Sequence, residues 1–192
     1  YTLRLLTSQQ YERAASLICA MEKIRQENEE ILGKKRITIG LWVGDSLTRN
    51  SEKNAAAQIR KIISEKKKDN ASIVLKCPWC GASMSTYSDK EGNVHTPGYV
   101  TENDKVHFVC DNPDCDFHDD DFELPLRLYD DDIYANPPTL LFGTVDKFAM
   151  LPFVSKAKSL FGGDGDNAAP DLIIQDELHL ITGPLGSSVG IY

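Results

Sequence analysis

The sequence predicts an α/β protein in which a parallel sheet is flanked by helices and interrupted by a small metal-binding insert. Short apolar runs alternate with segments whose apolar residues have helical spacing, and a parallel connection between strands needs such a crossover. Two close pairs of cysteines fall between the second predicted helix and the third predicted strand. A chain of 192 residues is long enough for one well-packed domain with a small insert.

Two strand–helix units are expected in the first third of the chain. Residues 3–6 form the first predicted strand, and a polar N-cap at Thr7 then begins an amphipathic helix that should end near Gly33. The second strand is predicted over residues 37–43 and is followed by a helix from about Ser51.

Two more strands are expected after the cysteine-rich segment. Residues 139–142 form the third strand, residues 145–151 form a helix, and residues 172–175 form the fourth strand. The carboxyl ends of parallel strands meet at one edge of a sheet, where ligands bind. The residues expected to share this edge are Thr7, Gly44, Thr144 and Asp176.

Composition and charge limit the kind of partner. The chain is 41% apolar and 26% charged, which is ordinary for a globular protein, and its net charge is -8. This charge argues against binding nucleic acid through a large positive field, although it allows a local basic strip. No apolar run is long enough to cross a bilayer and no signal-peptide pattern opens the chain, so a cytoplasmic location is expected.

The four cysteines of the two close pairs have the spacing of zinc ligands. Two residues separate Cys77 from Cys80, and four separate Cys110 from Cys115. Each pair can place two thiolates on one ion, and together they complete a tetrahedral set. We therefore expect a structural zinc, because closed four-thiolate sites are structural. A disulfide pair, which a reducing compartment disfavours, and unliganded thiols are the alternatives.

The expected zinc insert covers residues 72–127. It is too small to bury a core of its own and should need the ion to fold. His107 and His118 flank the second cysteine pair and could replace a cysteine, but a histidine beside a complete ligand set is more often a surface residue. Cys19, in the first amphipathic helix, is expected in the core.

Two acidic runs, at residues 119–121 and 130–132, raise the question of a second metal site. A solvated charged surface fits them better, because runs of like charge repel one another and stay hydrated. They also disfavour binding of DNA phosphates by the insert.

Asp176 and Glu177 stand side by side at the end of the fourth predicted strand, and His179 follows. Adjacent carboxylates raise each other's cost of ionisation unless a cation or solvent stabilises them, so the pair raises the question of a cation site. The alternative is a plain strand end after which Glu177 opens a helix, where its charge is favourable for the helix dipole.

These residues resemble a known family. The sequence Asp-Glu-Leu-His at 176–179 is similar to motif II, the Walker B or DExH box, of superfamily-2 helicases and translocases. Residues 5–10 look like motif Ia, residues 43–45 look like the glycine-containing turn after the next strand, and residues 142–148 look like motif Ib. The four segments occur in the family's order.

The resemblance implies the first RecA-like motor domain of an ATP-dependent nucleic-acid helicase, divided by the insert into residues 1–71 and 128–192. Residues 138–148 and 176–186 look more specifically like the helicase subunit of bacterial DISARM-type phage-defence systems. The implied cofactors are Mg²⁺ and ATP, besides the structural zinc. The implied partners are nucleic acid, DNA rather than RNA, and proteins that bind the zinc insert.

The resemblance also implies roles for single residues. Asp176 would hold the magnesium ion of the nucleotide, Glu177 would orient and deprotonate the attacking water, and His179 would couple hydrolysis to motion. One nucleic-acid strand would be contacted largely through its phosphates. The residues expected to make these contacts are Thr7, Gln9, Gly44, Thr144 and Lys147.

The sequence departs from the family in what it lacks. It contains no Gly-x-x-x-x-Gly-Lys-Ser/Thr loop, which the resemblance places before Tyr1, and no motif III or second motor domain. We therefore expect a piece of a longer protein that by itself neither hydrolyses ATP nor unwinds duplexes. A non-enzymatic zinc-ribbon interaction module is the first alternative. A zinc hydrolase is the second, although four cysteines would close the site that its water needs.

Overall fold

A parallel three-stranded sheet lies at the centre of the fold, with helices packed around it, as the alternation of elements predicts. The central strand β1 (Ile39–Trp42) pairs with β7 (Leu140–Gly143) on one side and with β6 (Leu126–Arg127) on the other. All four residues of β1 are buried, as expected for a strand covered on both faces. The computed structural model describes residues 2–44, 51–67, 69–70, 73–118, 122–163, 165 and 167–176, and of residues 2–8 only the backbone.

Five α-helices accompany the sheet in the described residues, and two 3₁₀ helices follow them, at Leu151–Phe153 and Ser155–Phe161. The strands predicted at 37–43 and 139–142 are confirmed, with small shifts of their ends, and so are the helices predicted from Ser51 and over 145–151. None of the helices in the described residues combines the length and the apolar character that a bilayer-spanning helix needs. The helices are α1 (Thr2–Glu27), α2 (Glu29–Leu32), α3 (Glu52–Ser64), α4 (Asp130–Ala135) and α5 (Val145–Ala149).

The strand predicted over residues 3–6 is wrong. These residues begin the helix α1, which is 26 residues long, so Thr7 lies inside the helix and not at a strand end. A short apolar run has no periodicity that separates strand from helix, and here it continues the helical spacing of the residues that follow. Tyr11, Ala15 and Ile18 then form the buried face of α1 against the sheet.

The strand predicted over residues 172–175 is also wrong for the structure as described. Residues 172–176 pair with no strand, and the side chains of Leu172, Ile173 and Ile174 are 74%, 66% and 79% exposed. An apolar run of this kind becomes a strand only where a neighbouring strand offers hydrogen bonds and a covered face.

The cysteine-containing segment carries two small antiparallel hairpins. The first joins β2 (Tyr87–Ser88) to β3 (Val94–His95), and the second joins β4 (Tyr99–Glu102) to β5 (Lys105–Phe108). The second hairpin packs on α3, because Arg60 donates to Asp104 at its turn at 2.7 Å. A further contact is made where the backbone N–H of Val106 donates to Glu52 Oε1 at 3.0 Å.

The acidic run at 130–132 forms the first turn of α4 and is not simply a solvated surface, contrary to the expectation from charge alone. Asp130 is only 8% exposed. Asp131 accepts the backbone N–H of Glu52 at the start of α3, and Asp132 pairs with Arg127 at 2.6 Å. Each carboxylate has its own donor, which removes the mutual repulsion that would otherwise keep the run hydrated. The other acidic run, at 119–121, lies outside the described residues.

Candidate functional site

The four cysteines predicted as metal ligands come together at one point. Their sulfur atoms all lie within 4.8 Å of one another. The sulfurs of Cys77 and Cys115 are 3.9 Å apart, and those of Cys80 and Cys110 are 3.5 Å apart. A tetrahedral zinc with bonds of about 2.3 Å places its sulfur ligands about 3.8 Å apart, so the spacing fits such an ion. No two of these cysteines form a disulfide.

Tight backbone loops position both cysteine pairs. In the first loop the N–H of Cys77 donates to Ala82 O at 2.8 Å and the N–H of Gly81 donates to Cys77 O at 2.9 Å. Gly81 has a φ of +76°, a left-handed conformation that favours glycine at this turn. In the second loop the N–H of Cys110 donates to Phe117 O at 2.8 Å, which closes the wider spacing of that pair.

The electrostatics of the cluster favour a cation. Burial by itself raises the pKa of the Cys80 thiol. Hydrogen bonds from the backbone N–H of Ala82 and the side-chain amide of Asn112 outweigh burial and lower the pKa to about 7. Burial raises the pKa of Cys115 to about 11, because it disfavours the thiolate and Cys77 adds a like charge nearby. Four thiolates cannot all ionise together in this space without a positive ion. The arrangement can therefore bind a metal ion such as zinc.

The cysteine cluster is attached to α1 and does not stand apart from the sheet. Asp116, next to Cys115, pairs with Lys23 on α1 at 2.8 Å and accepts the indole N–H of Trp79 at 2.9 Å. Cys19 is fully buried on α1 and belongs to the same core as three of the four ligands, as predicted for a core residue. Loss of the cluster would therefore disturb the packing of α1.

The two histidines near the second cysteine pair make other contacts. The ring Nδ1 of His118 lies 2.7 Å from Cys110 O, and that of His107 lies 2.8 Å from a carboxylate oxygen of Glu123. Glu123 also accepts from Arg36 at 2.9 Å. Neither histidine belongs to the group of side chains that can share one metal ion.

Two of the predicted strand-end residues share one edge of the sheet. β1 and β7 run parallel and in register to Trp42 and Gly143, so Gly44 and Thr144 follow neighbouring strand ends. The N–H of Thr144 donates to Trp42 O at 3.2 Å, which extends the ladder by one bond. Both residues are half-buried.

Lys147 lies close to this edge, on α5, but its ammonium group is largely covered. Its Nζ donates to Asp130 Oδ2 at 2.5 Å, and the two side chains are 12% and 11% exposed. Tyr134 donates to the same carboxylate at 3.4 Å and accepts the indole N–H of Trp42 at 3.0 Å. The sequence analysis missed Asp130 and Tyr134, and the only signal for them is their separation of four residues on one helix face.

Asp176 contacts α1 through one side chain that the sequence analysis did not single out. The amide Nε2 of Gln10 donates to Asp176 Oδ2 at 3.3 Å, and Asp176 is exposed to solvent. Gln9 is also exposed. The side chain of Thr7 and the whole of Glu177 and His179 lie outside the described residues.

Comparison with known proteins shows similarity to a curated relative. No family model matches the chain. The chain is 33% identical to the "DISARM protein DrmA" of Bacillus paralicheniformis over an alignment of 229 residues. The alignment covers 100% of this chain and 20% of the relative, so the chain spans about a fifth of the length of that protein.

Proposed function

Because this chain is related over its whole length to one fifth of a DISARM protein, we propose that it is part of an ATP-dependent helicase or translocase that acts in phage defence. In this proposal residues 1–71 and 128–192 are two portions of the first RecA-like motor domain, and residues 72–127 carry the zinc-binding insert, whose last residues already form β6 of the sheet. The observation that carries the proposal is the similarity to this DISARM protein. The order of the motifs in the sequence agrees with it. The parallel sheet and its shared edge at Gly44 and Thr144 support it.

The exposed apolar surface supports the idea that a longer polypeptide packs on these residues. Leu172, Ile173 and Ile174 are at least 66% exposed, and on α1 the side chains of Leu17 and Ile24 are 62% and 55% exposed. Exposed apolar patches mark contact surfaces, and the three consecutive apolar residues at 172–174 form such a patch.

The proposed chemistry assigns a role to three of the four residues of the DExH box. Asp176 would hold the magnesium ion of the nucleotide, because one carboxylate and several waters suffice for Mg²⁺. Glu177 orients the attacking water and accepts its proton. His179 couples the site to the cleft between motor domains. The protein that carries this chain then converts Mg-ATP hydrolysis into movement on nucleic acid in the cytoplasm, with DNA as the expected substrate.

The nucleic-acid contacts are proposed at Thr7, Gln9, Gly44 and Thr144, mostly to phosphates. Lys147 was the remaining expected contact. Lys147 can reach a phosphate only if its ion pair with Asp130 opens. We therefore expect Lys147 to contribute less to nucleic-acid binding than the other four residues.

The four cysteines are proposed to bind zinc in a structural role. A closed thiolate set leaves no position for a water molecule, so the ion would hold the two loops together and take no part in hydrolysis. Because the cluster packs against α1, the zinc would also fix the helix that carries Gln9 and Gln10.

The experiment that tests the proposal uses the complete protein that carries this chain. ATP hydrolysis is measured with and without single-stranded DNA and RNA, for the wild type and for Glu177→Gln. We expect nucleic-acid-stimulated hydrolysis that falls at least about a hundredfold in Glu177→Gln, because a general base contributes roughly that factor. Glu29→Gln, on the exposed helix α2, serves as the control and should keep wild-type activity. A complete protein that binds zinc but hydrolyses no ATP would instead favour the zinc-ribbon interaction module.

A further inference from the structure

A side chain that contacts the proposed magnesium ligand comes from a distant part of the chain. Gln10 on α1 and Asp176 are separated by 166 positions in sequence, yet Gln10 Nε2 donates to Asp176 Oδ2 at 3.3 Å. We propose that Gln10 is a positioning residue that holds the carboxylate of Asp176 for the magnesium ion of the nucleotide. This inference rests on the proposed function, since it concerns the same site.

The turn of α1 that carries Gln10 is fixed to the sheet. The neighbouring Tyr11 is 3% exposed, and its ring meets the ring of Phe142 on β7 edge to face, with centroids 6.2 Å apart. β7 ends next to Thr144, at the sheet edge where the nucleotide and nucleic acid are proposed to bind. The turn of α1 that carries Gln10 is therefore fixed relative to this edge of the sheet, and so is the position from which Gln10 contacts Asp176.

A glutamine suits this task better than a charged residue. The last torsion of an aspartate side chain is broad, so an exposed carboxylate rotates unless a donor fixes its plane. The amide of Gln10 is a neutral donor, which orients the carboxylate and leaves its full negative charge for a cation. A carboxylate has about four lone-pair positions, and one donor such as Gln10 occupies one of them.

The length of the Gln10–Asp176 hydrogen bond also sets how much magnesium affinity its loss should cost. A separation of 3.3 Å is slightly beyond the usual range for an N–H···O bond, so the restraint on Asp176 is moderate. Because the bond is long and exposed, its loss should match that of a hydrogen bond of ordinary strength, about a three- to tenfold loss in the affinity that depends on it.

The test is a magnesium titration of ATP hydrolysis by the complete protein, with Gln10→Leu, Gln10→Ala and the wild type. Both variants remove the donor, and the leucine variant keeps the volume of the side chain. We expect the magnesium concentration for half-maximal hydrolysis to rise about three- to tenfold in both, with kcat at saturating magnesium close to wild type. Binding of Mn²⁺ in the presence of ADP, followed by electron paramagnetic resonance, should weaken by the same factor.

Controls separate this inference from the proposed function. Ser16→Ala, at an exposed position on the same helix, should leave the magnesium dependence unchanged. If Asp176→Asn abolishes hydrolysis but the Gln10 variants titrate like the wild type, the positioning role is wrong and the proposed function stands. If kcat falls at every magnesium concentration while the half-maximal concentration stays constant, Gln10 has a purely structural role. A complete wild-type protein without magnesium-dependent hydrolysis would overturn both proposals.

Discussion

Replacing Glu22 by alanine should destabilise the fold strongly, although this residue belongs to no proposed site. Its carboxylate lies on α1 and is completely buried. It accepts two hydrogen bonds from the guanidinium of Arg25, each of 2.9 Å, and one from the backbone N–H of Ile37 at 2.8 Å. Arg36 adds a charge at 3.6 Å. The carboxylate thus ties α1 to the segment that enters the central strand.

The expected loss follows from what the alanine variant leaves behind. The side chain of Arg25 is 7% exposed, so its charge would stay buried, and the N–H of Ile37 would lose its acceptor. Removing one partner of a buried, hydrogen-bonded ion pair costs about 3–5 kcal/mol. Glu22→Gln removes the charge but keeps an acceptor oxygen, so we expect roughly half of that loss.

Urea unfolding of the purified chain, followed by circular dichroism, measures both variants. Glu27→Ala is the matched control on the same helix, since its side chain is 60% exposed and its partner Lys23 lies 3.6 Å away. An exposed pair of this kind contributes at most about 0.5 kcal/mol. The slope of the free energy against urea should be unchanged in all variants. If Glu22→Ala costs no more than Glu27→Ala, the buried ion pair does not stabilise the fold in the way argued.

Three further predictions concern the metal, the second buried ion pair and pH. Cys115→Ser should lose bound zinc, measured by atomic absorption, whereas Cys19→Ser should keep the wild-type content because Cys19 is not among the clustered ligands. Lys147→Met should cost about 3 kcal/mol in urea unfolding, because it leaves the buried carboxylate of Asp130 without its ammonium partner. Burial raises the pKa of Glu22, but hydrogen bonds from Arg25 and the N–H of Ile37 outweigh it and hold the pKa below its usual value. This stabilisation is therefore present above the ordinary glutamate pKa of about 4.3 and is lost progressively as the pH falls from there through the lower pKa of the folded state. Glu22→Gln should therefore make the free energy of unfolding less dependent on pH in the acid range.

Each of these predictions has an outcome that contradicts it. Equal zinc contents in Cys115→Ser and the wild type would remove Cys115 from the ligand set. For the second ion pair, the double variant Lys147→Met with Asp130→Asn should recover part of the loss, and strict additivity would mean that the two groups are not coupled. An acid limb that Glu22→Gln leaves unchanged would assign the acid sensitivity to other carboxylates.

Local patterns predicted those parts of the fold whose cause is local. The buried central strand and α3 follow from apolar spacing and flanking polar residues, and the cysteine cluster follows from ligand spacing. The errors fall where spacing alone is ambiguous. Residues 3–6 are apolar in a way that suits either a strand or a helix, and in the structure they continue α1. Residues 172–175 have strand-like composition, but strand structure also needs a neighbour to pair with.

The sequence by itself therefore determined the α/β class, the four-cysteine cluster and the resemblance that led to the proposed helicase role, because each depends on residue types at short, fixed spacings. Only the tertiary structure decided which charged groups meet. The buried pair Asp130 with Lys147, the hydrogen bond from the N–H of Ile37 to Glu22, and the contact of Gln10 with Asp176 depend on how α1, α4 and α5 pack around the sheet. Such contacts join residues up to 166 positions apart, a distance over which no local periodicity carries information.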